Sequence, residues 1–244
     1  RYRYTPEVLE AFIRHYPSMI SAIPKRYQTY KIKELCISLY DSNIPLFTDK
    51  DFTRKELIRL TKSSEKIFNI YRKYLTIEEL NEVLQSKPQY IQYITTGLNS
   101  LVRNTLLANQ DAIEYIPTQR LNKLLALEYI MKYPHMCTML YTFHPSVSED
   151  IKNEMIEVNP YMLVVLNVEL NQTTVNILIE YINSRKPSEV NVILRYLSKS
   201  KYVLSHSEEV ISRVVDTSYR LLLEGHLTKQ YNPKMYQVID KEDA

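Results

Sequence analysis

Two cysteines and five histidines are the side chains of this sequence that could ligate a metal ion or act as nucleophiles. Cys36 and Cys137 are far apart in the chain and have neither the close cysteine spacing nor the nearby histidine of a zinc site. His15 and His135 are likewise far apart in the chain, so we expect no metal site. Cys137 and His144 could form a thiol–imidazole pair, but Cys137 occurs in an apolar pattern. We therefore predict that both cysteines are reduced core residues.

Paired carboxylates are the other candidates for acid–base chemistry. They occur at Glu78-Glu79, Glu149-Asp150 and Glu208-Glu209. General acid–base catalysis needs two such groups facing each other across a cleft, with one pKa raised. We predict instead that all three pairs stand at helix starts, where the helix dipole favours negative charge.

Glycine is almost absent, and this excludes several classes of protein. Gly97 and Gly225 are the two glycines of the chain. Sheet-rich folds use glycine in hairpin turns and bulges, and phosphate-binding loops need several glycines close together. The sequence also lacks the short motifs of serine hydrolases, zinc proteases and calcium loops. We therefore predict an all-α fold and expect a protein without enzymatic activity and without a cofactor.

Interleaved tyrosine and basic residues form the strongest candidate for a binding site. They are Arg1, Arg3, Lys25, Arg26, Tyr27, Tyr30, Lys31, Arg72, Lys73 and Tyr74. Aromatic and cationic side chains together can stack on bases and hold phosphates. The same residue types are enriched in protein–protein interfaces.

Charge is unevenly distributed along the chain. The formal net charge is +3, but residues 1–75 hold 15 Lys and Arg against 8 Asp and Glu, and the remainder holds 16 against 20. A basic N-terminal third suits an anionic partner. We predict a protein partner with an acidic surface; the alternative is RNA or single-stranded nucleic acid bound by the same residues.

The sequence contains a repeat of about two dozen residues, and we expect the elements of this repeat to position the candidate side chains. Anchor positions carry proline or a polar residue, and apolar side chains follow at two, three and six positions after them. The anchors fall at 17, 41, 65, 88, 110, 134, 160 and 187. Such regular spacing over most of the chain predicts a repeat architecture.

Hydroxyl residues precede the anchors and predict where each helix starts. A threonine lies twelve residues before each of the first four anchors (Thr5, Thr29, Thr53 and Thr76), and Ser148 has that place before Pro160. We predict these as helix N-caps. Each unit would then be a helix of about 10 residues, a break, and a shorter second helix.

Units of this size cannot bury an apolar stripe alone, so neighbours must stack. We predict a right- or left-handed solenoid of eight or nine repeats over residues 1–227, followed by a C-terminal tail or cap over 228–244. The two-helix unit resembles the leucine-rich-variant class of helical repeats, and also short α-helical repeats found in bacterial and large-virus proteins. That resemblance implies an all-α solenoid and carries no catalytic residues. From the repeat and the uneven charge we predict an interaction or scaffold module.

Composition leads to two further expectations. Ile, Asn, Lys and Tyr abound while Gly and Ala are scarce, which is typical of an AT-rich genome such as that of a phage or large DNA virus. The longest apolar run, residues 161–166, is far shorter than the about 20 residues of a membrane span. We therefore expect no membrane association and a cytoplasmic location, in the host cytoplasm or the virion if the source is viral.

Overall fold

The computed structural model describes residues 4–95, 99–185 and 188–231, with only the backbone of Arg185 and Tyr231. Within these ranges the regular structure consists of α- and 3₁₀-helices, and they contain no β-strand, so the all-α prediction is confirmed. None of the helices in the described ranges combines the length and apolarity needed to cross a bilayer. The chain divides into two compact units, Arg1–Leu121 and Asn122–Ala244.

Unit 1 repeats one arrangement of helices. Its α-helices are α1 (Pro6–His15), α2 (Tyr30–Leu39), α3 (Arg54–Thr61), α4 (Glu65–Tyr71), α5 (Ile77–Ser86) and α6 (Asn99–Ala108). After α1, α2, α3, α5 and α6 come what we call the break segments: Pro17–Ala22, Asp41–Leu46, α4 itself, Pro88–Tyr93 and Gln110–Tyr115. Four of the break segments are 3₁₀-helices. Short 3₁₀ turns follow some of them, at Lys25–Tyr27, Asp49–Asp51, Arg72–Tyr74 and Thr118–Arg120. We call each helix with its break segment and turn a layer.

The threonine caps explain where the helices begin. The hydroxyl oxygens of Thr5, Thr53 and Thr76 each accept a hydrogen bond from the backbone N–H three residues later, at 3.3–3.4 Å. At Thr53 and Thr76 the side chain of the glutamate three residues later accepts a hydrogen bond from the backbone N–H of the threonine. Thr29 directly precedes α2 but its side chain makes no such bond. Three of the four predicted threonine caps are therefore confirmed by a side-chain hydrogen bond.

The residues before the breaks share a similar φ whether or not proline follows. Tyr16, Tyr40, Ser64, Lys87 and Asn109 precede the break segments, and all have φ between −152° and −136°. Proline disfavours the α conformation of the residue before it, which accounts for Tyr16 and Lys87. The other three residues have a similar φ ahead of a polar residue, but their ψ of 114–143° is more extended than the 62° and 67° of Tyr16 and Lys87. The break is therefore a property of the repeat, and proline is one way to build it.

The predicted apolar frame forms the core. The residue three positions after the anchor is buried at all eight anchors: Ile20, Ile44, Phe68, Ile91, Ile113, Cys137, Leu163 and Val190. Met19, two positions after the first anchor, is instead 50% exposed. Among the described residues no helix precedes α1 in the chain to cover Met19, whereas the equivalent side chains of later layers are buried.

Consecutive layers of unit 1 pack on each other. α1 contacts α2, α3 contacts α5, and α5 contacts α6. Ion pairs join neighbouring layers at Lys31–Glu10 (2.5 Å) and Lys62–Glu82 (2.9 Å). The buried hydroxyl of Tyr71 donates to the backbone oxygens of Ile44 and Phe47, at 3.2 and 3.0 Å. Each layer is thus bonded to the next through residues about one repeat apart.

Unit 2 is more α-helical and less regular. It contains α7 (Lys123–Lys132), a 3₁₀ turn (Pro134–Met136), α8 (Cys137–Phe143), α9 (Pro145–Asp150), α10 (Lys152–Val158), α11 (Met162–Val165), α12 (Gln172–Arg185), α13 (Val190–Lys199), α14 (Lys201–Ser205), α15 (Ser207–Arg213) and α16 (Thr217–Tyr231). Helix α13 packs along α16, and buried aliphatic side chains of α12, α13 and α16 form the core there. The boundary predicted at 227 falls inside α16, and residues 232–244 of the predicted tail lie outside the described residues.

The predicted cap at Ser148 is wrong. The helix begins earlier, at Pro145, after His144 adopts the break conformation with φ −134°. Ser148 is buried within α9, and its hydroxyl donates to the backbone oxygen of His144 at 2.9 Å. Consequently Glu149 and Asp150 end α9 instead of starting a helix, and the dipole explanation of this pair is wrong as well. The other two carboxylate pairs do lie in first turns, of α5 and α15.

Candidate interaction surface

Two of three equivalent turns hold six of the ten predicted binding residues. Lys25–Tyr27, Asp49–Asp51 and Arg72–Tyr74 each follow a break segment, and each ends three residues before the next helix begins. We call these three turns the turn edge of unit 1. Arg1 and Arg3, which were also predicted here, lie outside the described residues.

The first turn carries an exposed stack of aromatic and cationic side chains. The rings of Tyr4 and Tyr27 are stacked with centroids 4.6 Å apart, and the Arg26 guanidinium lies 4.8 Å from the Tyr27 ring centroid. The Lys25 side chain is 91% exposed, with its ammonium 3.9 Å from the Asp51 carboxylate. A guanidinium over a tyrosine face is attracted by the ring quadrupole and keeps its outer side open to a partner.

Tyr30 and Lys31 form contacts within the protein. The Tyr30 hydroxyl donates to Glu34 at 2.8 Å, and Arg59 lies 5.4 Å from the Tyr30 ring centroid. Burial, together with this hydrogen bond, raises the pKa of Tyr30. Lys31 pairs with Glu10 of α1. Tyr30 and Lys31 therefore connect α2 to neighbouring helices, and the charge of Lys31 is paired with that of Glu10.

The third turn repeats the cation–aromatic arrangement. The Lys73 ammonium lies 4.9 Å from the centroid of the Tyr74 ring, which is itself 6.3 Å from the ring of Tyr71. Tyr74 is 39% exposed, and its backbone oxygen accepts a hydrogen bond from Arg54 at 3.0 Å. Arg72 belongs to the same turn and is half-buried. The backbone of this cluster is thus fixed while its side chains reach solvent.

The middle turn is acidic, which the sequence interpretation missed. Asp49 and Asp51 flank Lys50 at the position that lysine, arginine and tyrosine occupy in the neighbouring turns. The Asp51 carboxylate accepts hydrogen bonds from the N–H and hydroxyl of Thr48, at 2.8 and 3.0 Å. The bond from the Thr48 backbone is the largest cause that lowers the pKa of Asp51. A comparison of residues one repeat apart in the sequence, 24 positions, would have revealed that the middle turn is acidic.

The middle layer links the two basic clusters. Lys25 of the first layer approaches Asp51, and the Lys33 ammonium donates to the Asp51 backbone oxygen. The Phe52 ring lies 6.1 Å from the ring of Tyr71 in the third layer. The structure therefore brings the predicted residues of layers one and three onto one edge, in the order basic, acidic, basic.

Neither cysteine is arranged for chemistry. Both are buried, which confirms the core prediction, and the Cys36 thiol donates to the backbone oxygen of Pro17 at 2.9 Å. Burial raises the pKa of Cys36 to about 11 and that of Cys137 to about 12, so both thiols are protonated near neutral pH. Across the part of the chain that the structure describes, no three His, Cys, Asp or Glu side chains group as metal ligands would.

A groove borders the turn edge between the first two layers. Its volume is about 330 Å³, and its lining includes Ile20, Ile23 and Lys25 of layer one with Leu46, Phe47 and Asp51 of layer two. The groove thus adjoins both the charged turns and the ends of two break segments. Comparisons with protein-family models, with curated proteins and with solved structures gave no match to this chain.

Proposed function

We propose that this chain is a non-enzymatic helical-repeat module that binds or scaffolds a partner protein through the turn edge of unit 1. The observation that carries the proposal is the pair of cation–tyrosine clusters at Arg26–Tyr27 and Lys73–Tyr74, in which Tyr27 is half-buried and the other three residues are exposed, held at equivalent positions of nearby layers. Tyrosine and arginine dominate the binding energy of protein interfaces because they combine large apolar area with directed polar contacts.

A solenoid is the arrangement that best accounts for these layers. Hydrogen bonds and ion pairs connect successive layers of unit 1 at separations close to one repeat. The buried frame residue recurs at all eight anchors, which supports a stack of eight or nine repeats. In such a stack the turns of successive repeats share one edge, so a partner can contact several layers at once.

The acidic middle turn favours a protein over a nucleic acid. A phosphate backbone lying along this edge would pass the carboxylates of Asp49 and Asp51, which repel it. A protein can instead offer acidic groups to Arg26 and Lys73 and a basic or hydrogen-bond-donating group between them. Charge complementarity of this kind sets specificity and the rate of association.

RNA or single-stranded DNA is the second candidate. The stacked Tyr4 and Tyr27 rings, with Arg26 beside them, have the composition of a base-stacking platform. Binding of this kind depends on phosphate contacts, so its affinity falls steeply with salt.

Selection from a random peptide library on the intact chain tests the proposal without knowledge of the natural partner. We expect selected peptides rich in acidic residues, and about tenfold weaker binding to the double variant Arg26→Glu with Lys73→Glu. Arg195→Glu with Lys201→Glu is the matched control, because both residues are exposed in unit 2 and the charge change is identical. Equal affinity of wild type and the turn-edge variant for all selected peptides contradicts the proposal.

Titration with a labelled 20-nucleotide single strand separates the second candidate. At about 50 and 200 mM salt we expect only weak binding at either concentration. Affinity for the oligonucleotide that exceeds that for the selected peptides, falls steeply with salt and is lost in the turn-edge variant would favour nucleic-acid binding instead.

A further inference from the structure

Helix α16 of unit 2 packs against α13 through apolar side chains. Leu223 and Leu227 of α16 are buried in the same cluster as Leu194 and Leu197 of α13. Burial of such side chains is the main favourable contribution to helix packing. It therefore holds the middle and the C-terminal part of α16 on α13.

The start of α16 has additional polar restraints. The Asn183 side chain donates to the Arg213 backbone oxygen at 2.9 Å and accepts from the Val215 N–H at 3.0 Å. The Arg220 guanidinium donates twice to the Val214 backbone oxygen, at 2.8 and 3.1 Å. These bonds fix the loop before α16 and its first turn, so the start of the helix is held independently of α13.

Gly225 weakens α16 between its two buried leucines. A β-carbon built at Gly225 would have nothing within 4 Å, so close packing in the described structure does not require glycine there. Glycine within a helix is less favourable than alanine, because it has more backbone freedom to lose on folding. We call the residues after it, 226–231, the terminal segment of α16.

A polar contact joins the terminal segment to α13. The Nε2 atom of His226, a half-buried residue, lies 2.9 Å from the Oδ1 atom of Asn191. An amide oxygen only accepts hydrogen bonds, so Nε2 of the neutral imidazole carries the proton and donates this bond. A second proton would bind at Nδ1 and place a positive charge beside α13.

Two cations act on His226. Arg195 lies four residues after Asn191 on α13, and Lys229 lies three residues after the histidine on α16, spacings that place side chains on one helix face. Burial is the largest cause that lowers the pKa of His226 below its ordinary 6.5, and Arg195 and Lys229 lower it further. The helices that contact α16 most are α13 and α15. The other charged side chains of these three helices are not among the groups that shift this pKa: Lys199, Glu208, Glu209, Arg213, Arg220 and Glu224.

The neutral imidazole therefore favours the packed helix, and the charged imidazole opposes it. When the terminal segment is detached, water solvates the imidazole and its pKa returns toward 6.5. The detached form then takes up a proton at a pH at which the packed form stays neutral. The packing keeps its full stability above this range, loses stability as the pH falls through 6.5 toward the lowered pKa, and loses no more below both values.

We infer that the terminal segment of α16 is an acid-released segment, which detaches from α13 on protonation of His226 and uncovers Leu194 and Leu197. Gly225 is the hinge of this movement, and the restrained first turn of α16 keeps the helix attached to unit 2. The inference concerns unit 2 alone and does not depend on the function proposed for the turn edge of unit 1.

Amide hydrogen exchange measured by NMR at pH 7.5 and pH 5.5 tests the release. After correction for the intrinsic pH dependence of exchange, we expect protection in the terminal segment to fall by at least about threefold at pH 5.5. Amides of α12 should keep their protection, which distinguishes release of the segment from unfolding of the whole unit. Equal loss in α12 and in the terminal segment, or no loss in either, overturns the inference.

The variant His226→Gln tests the role of the imidazole. A glutamine amide can donate a hydrogen bond to Asn191 and stays neutral, so protection in the terminal segment should no longer depend on pH. His206→Gln is the matched control, since His206 is an exposed histidine of the same unit, and it should respond as wild type. A pH response of wild-type size in His226→Gln contradicts the inference.

The variant Arg195→Gln tests the charge next to the imidazole without altering the histidine. Loss of this cation should move the NMR titration of the His226 imidazole to higher pH and reduce the fall in protection at pH 5.5. Titration of His226 above pH 6.5 in the wild type overturns the inference, because protonation would then favour the packed helix.

The variant Gly225→Ala tests the hinge. Alanine should raise protection in the terminal segment about fivefold at both pH values, because it favours the helix and meets no neighbouring atom. Lower protection in Gly225→Ala would show that the packed helix needs glycine at this position and would contradict its assignment as the hinge.

Discussion

The two units start from the same break and continue differently. Residues before the breaks have nearly the same φ in both units: −136° at Tyr16 and −137° at Lys87, against −134° at His144 and −138° at Asn159. After the break, unit 1 mostly forms six-residue 3₁₀-helices, whereas unit 2 forms α-helices of varied length. The break is therefore the constant feature, and the segment after it sets how regular the unit is.

Proline placement explains part of the difference. In unit 1, Ile23 and Ile116 directly follow their break segments and precede Pro24 and Pro117, whereas the equivalent Phe47 and Ile94 precede threonine. Proline keeps the preceding residue out of the α conformation, so the chain turns away after six residues. In unit 2 the equivalent Leu140 lies inside α8, which continues to Phe143. Proline thus accounts for the end of two of the four six-residue break segments of unit 1.

Loss of a core ring should have the largest effect. Phe68→Ala removes a fully buried ring stacked on Tyr90, and we expect the free energy of unfolding to fall by about 3–5 kcal/mol. Leu194→Ala in α13 should cost about 2–5 kcal/mol. Urea unfolding with amide exchange measures both. Each substitution should speed exchange most in its own unit, because contacts join neighbours in sequence, and equal acceleration in α2–α6 and α12–α16 contradicts this expectation.

Two tyrosine-to-phenylalanine variants compare the hydrogen bonds between structural elements within each of the two units. Tyr71→Phe removes hydrogen bonds to two backbone oxygens of the preceding layer, and we expect a loss of about 1–2 kcal/mol. Tyr196→Phe removes one bond, to the backbone oxygen of Val168 at 2.5 Å, and should cost about 1 kcal/mol. Chemical denaturation of both variants is the measurement. A larger loss of stability in Tyr196→Phe than in Tyr71→Phe would show that the number of hydrogen bonds does not decide how much each hydroxyl stabilises the fold.

The smallest expected effects concern caps. Thr76→Ala removes the hydroxyl that accepts from the Glu79 N–H and should cost about 1 kcal/mol. Ser148→Ala should change stability by about 0.5 kcal/mol or less, because the His144 oxygen that its hydroxyl contacts also accepts from the Ser148 N–H. Equal losses in the two variants, measured by thermal unfolding, would restore Ser148 as a structurally important residue.

The local features of the fold could be read from the sequence. Threonine spacing predicted the starts of α1, α3 and α5, and the apolar frame predicted which side chains are buried, because both depend on residues close together in the chain. Ser148 failed because Pro145 provides a competing helix start three residues earlier, and proline is most readily accommodated in the first turn of a helix.

The candidate site was harder to predict, because it depends on which layers touch. The sequence interpretation named Arg26, Tyr27, Lys73 and Tyr74, and the structure shows a cation–ring contact within each of the two pairs. It gave no direct sign that Glu10 neutralises Lys31 or that Asp51 approaches Lys25, since those pairs join residues in different layers.

The hydrogen bonds between layers join residues that are close together in the chain, and this has a consequence for folding during synthesis on the ribosome. In unit 1, the bonds from Lys33 to Asp51, Cys36 to Pro17 and Tyr71 to Ile44 span 18, 19 and 27 residues. A layer can therefore gain its partner once about one further repeat has emerged, without waiting for distant parts of the chain. We expect the N-terminal layers to acquire protease resistance stepwise as the nascent chain lengthens.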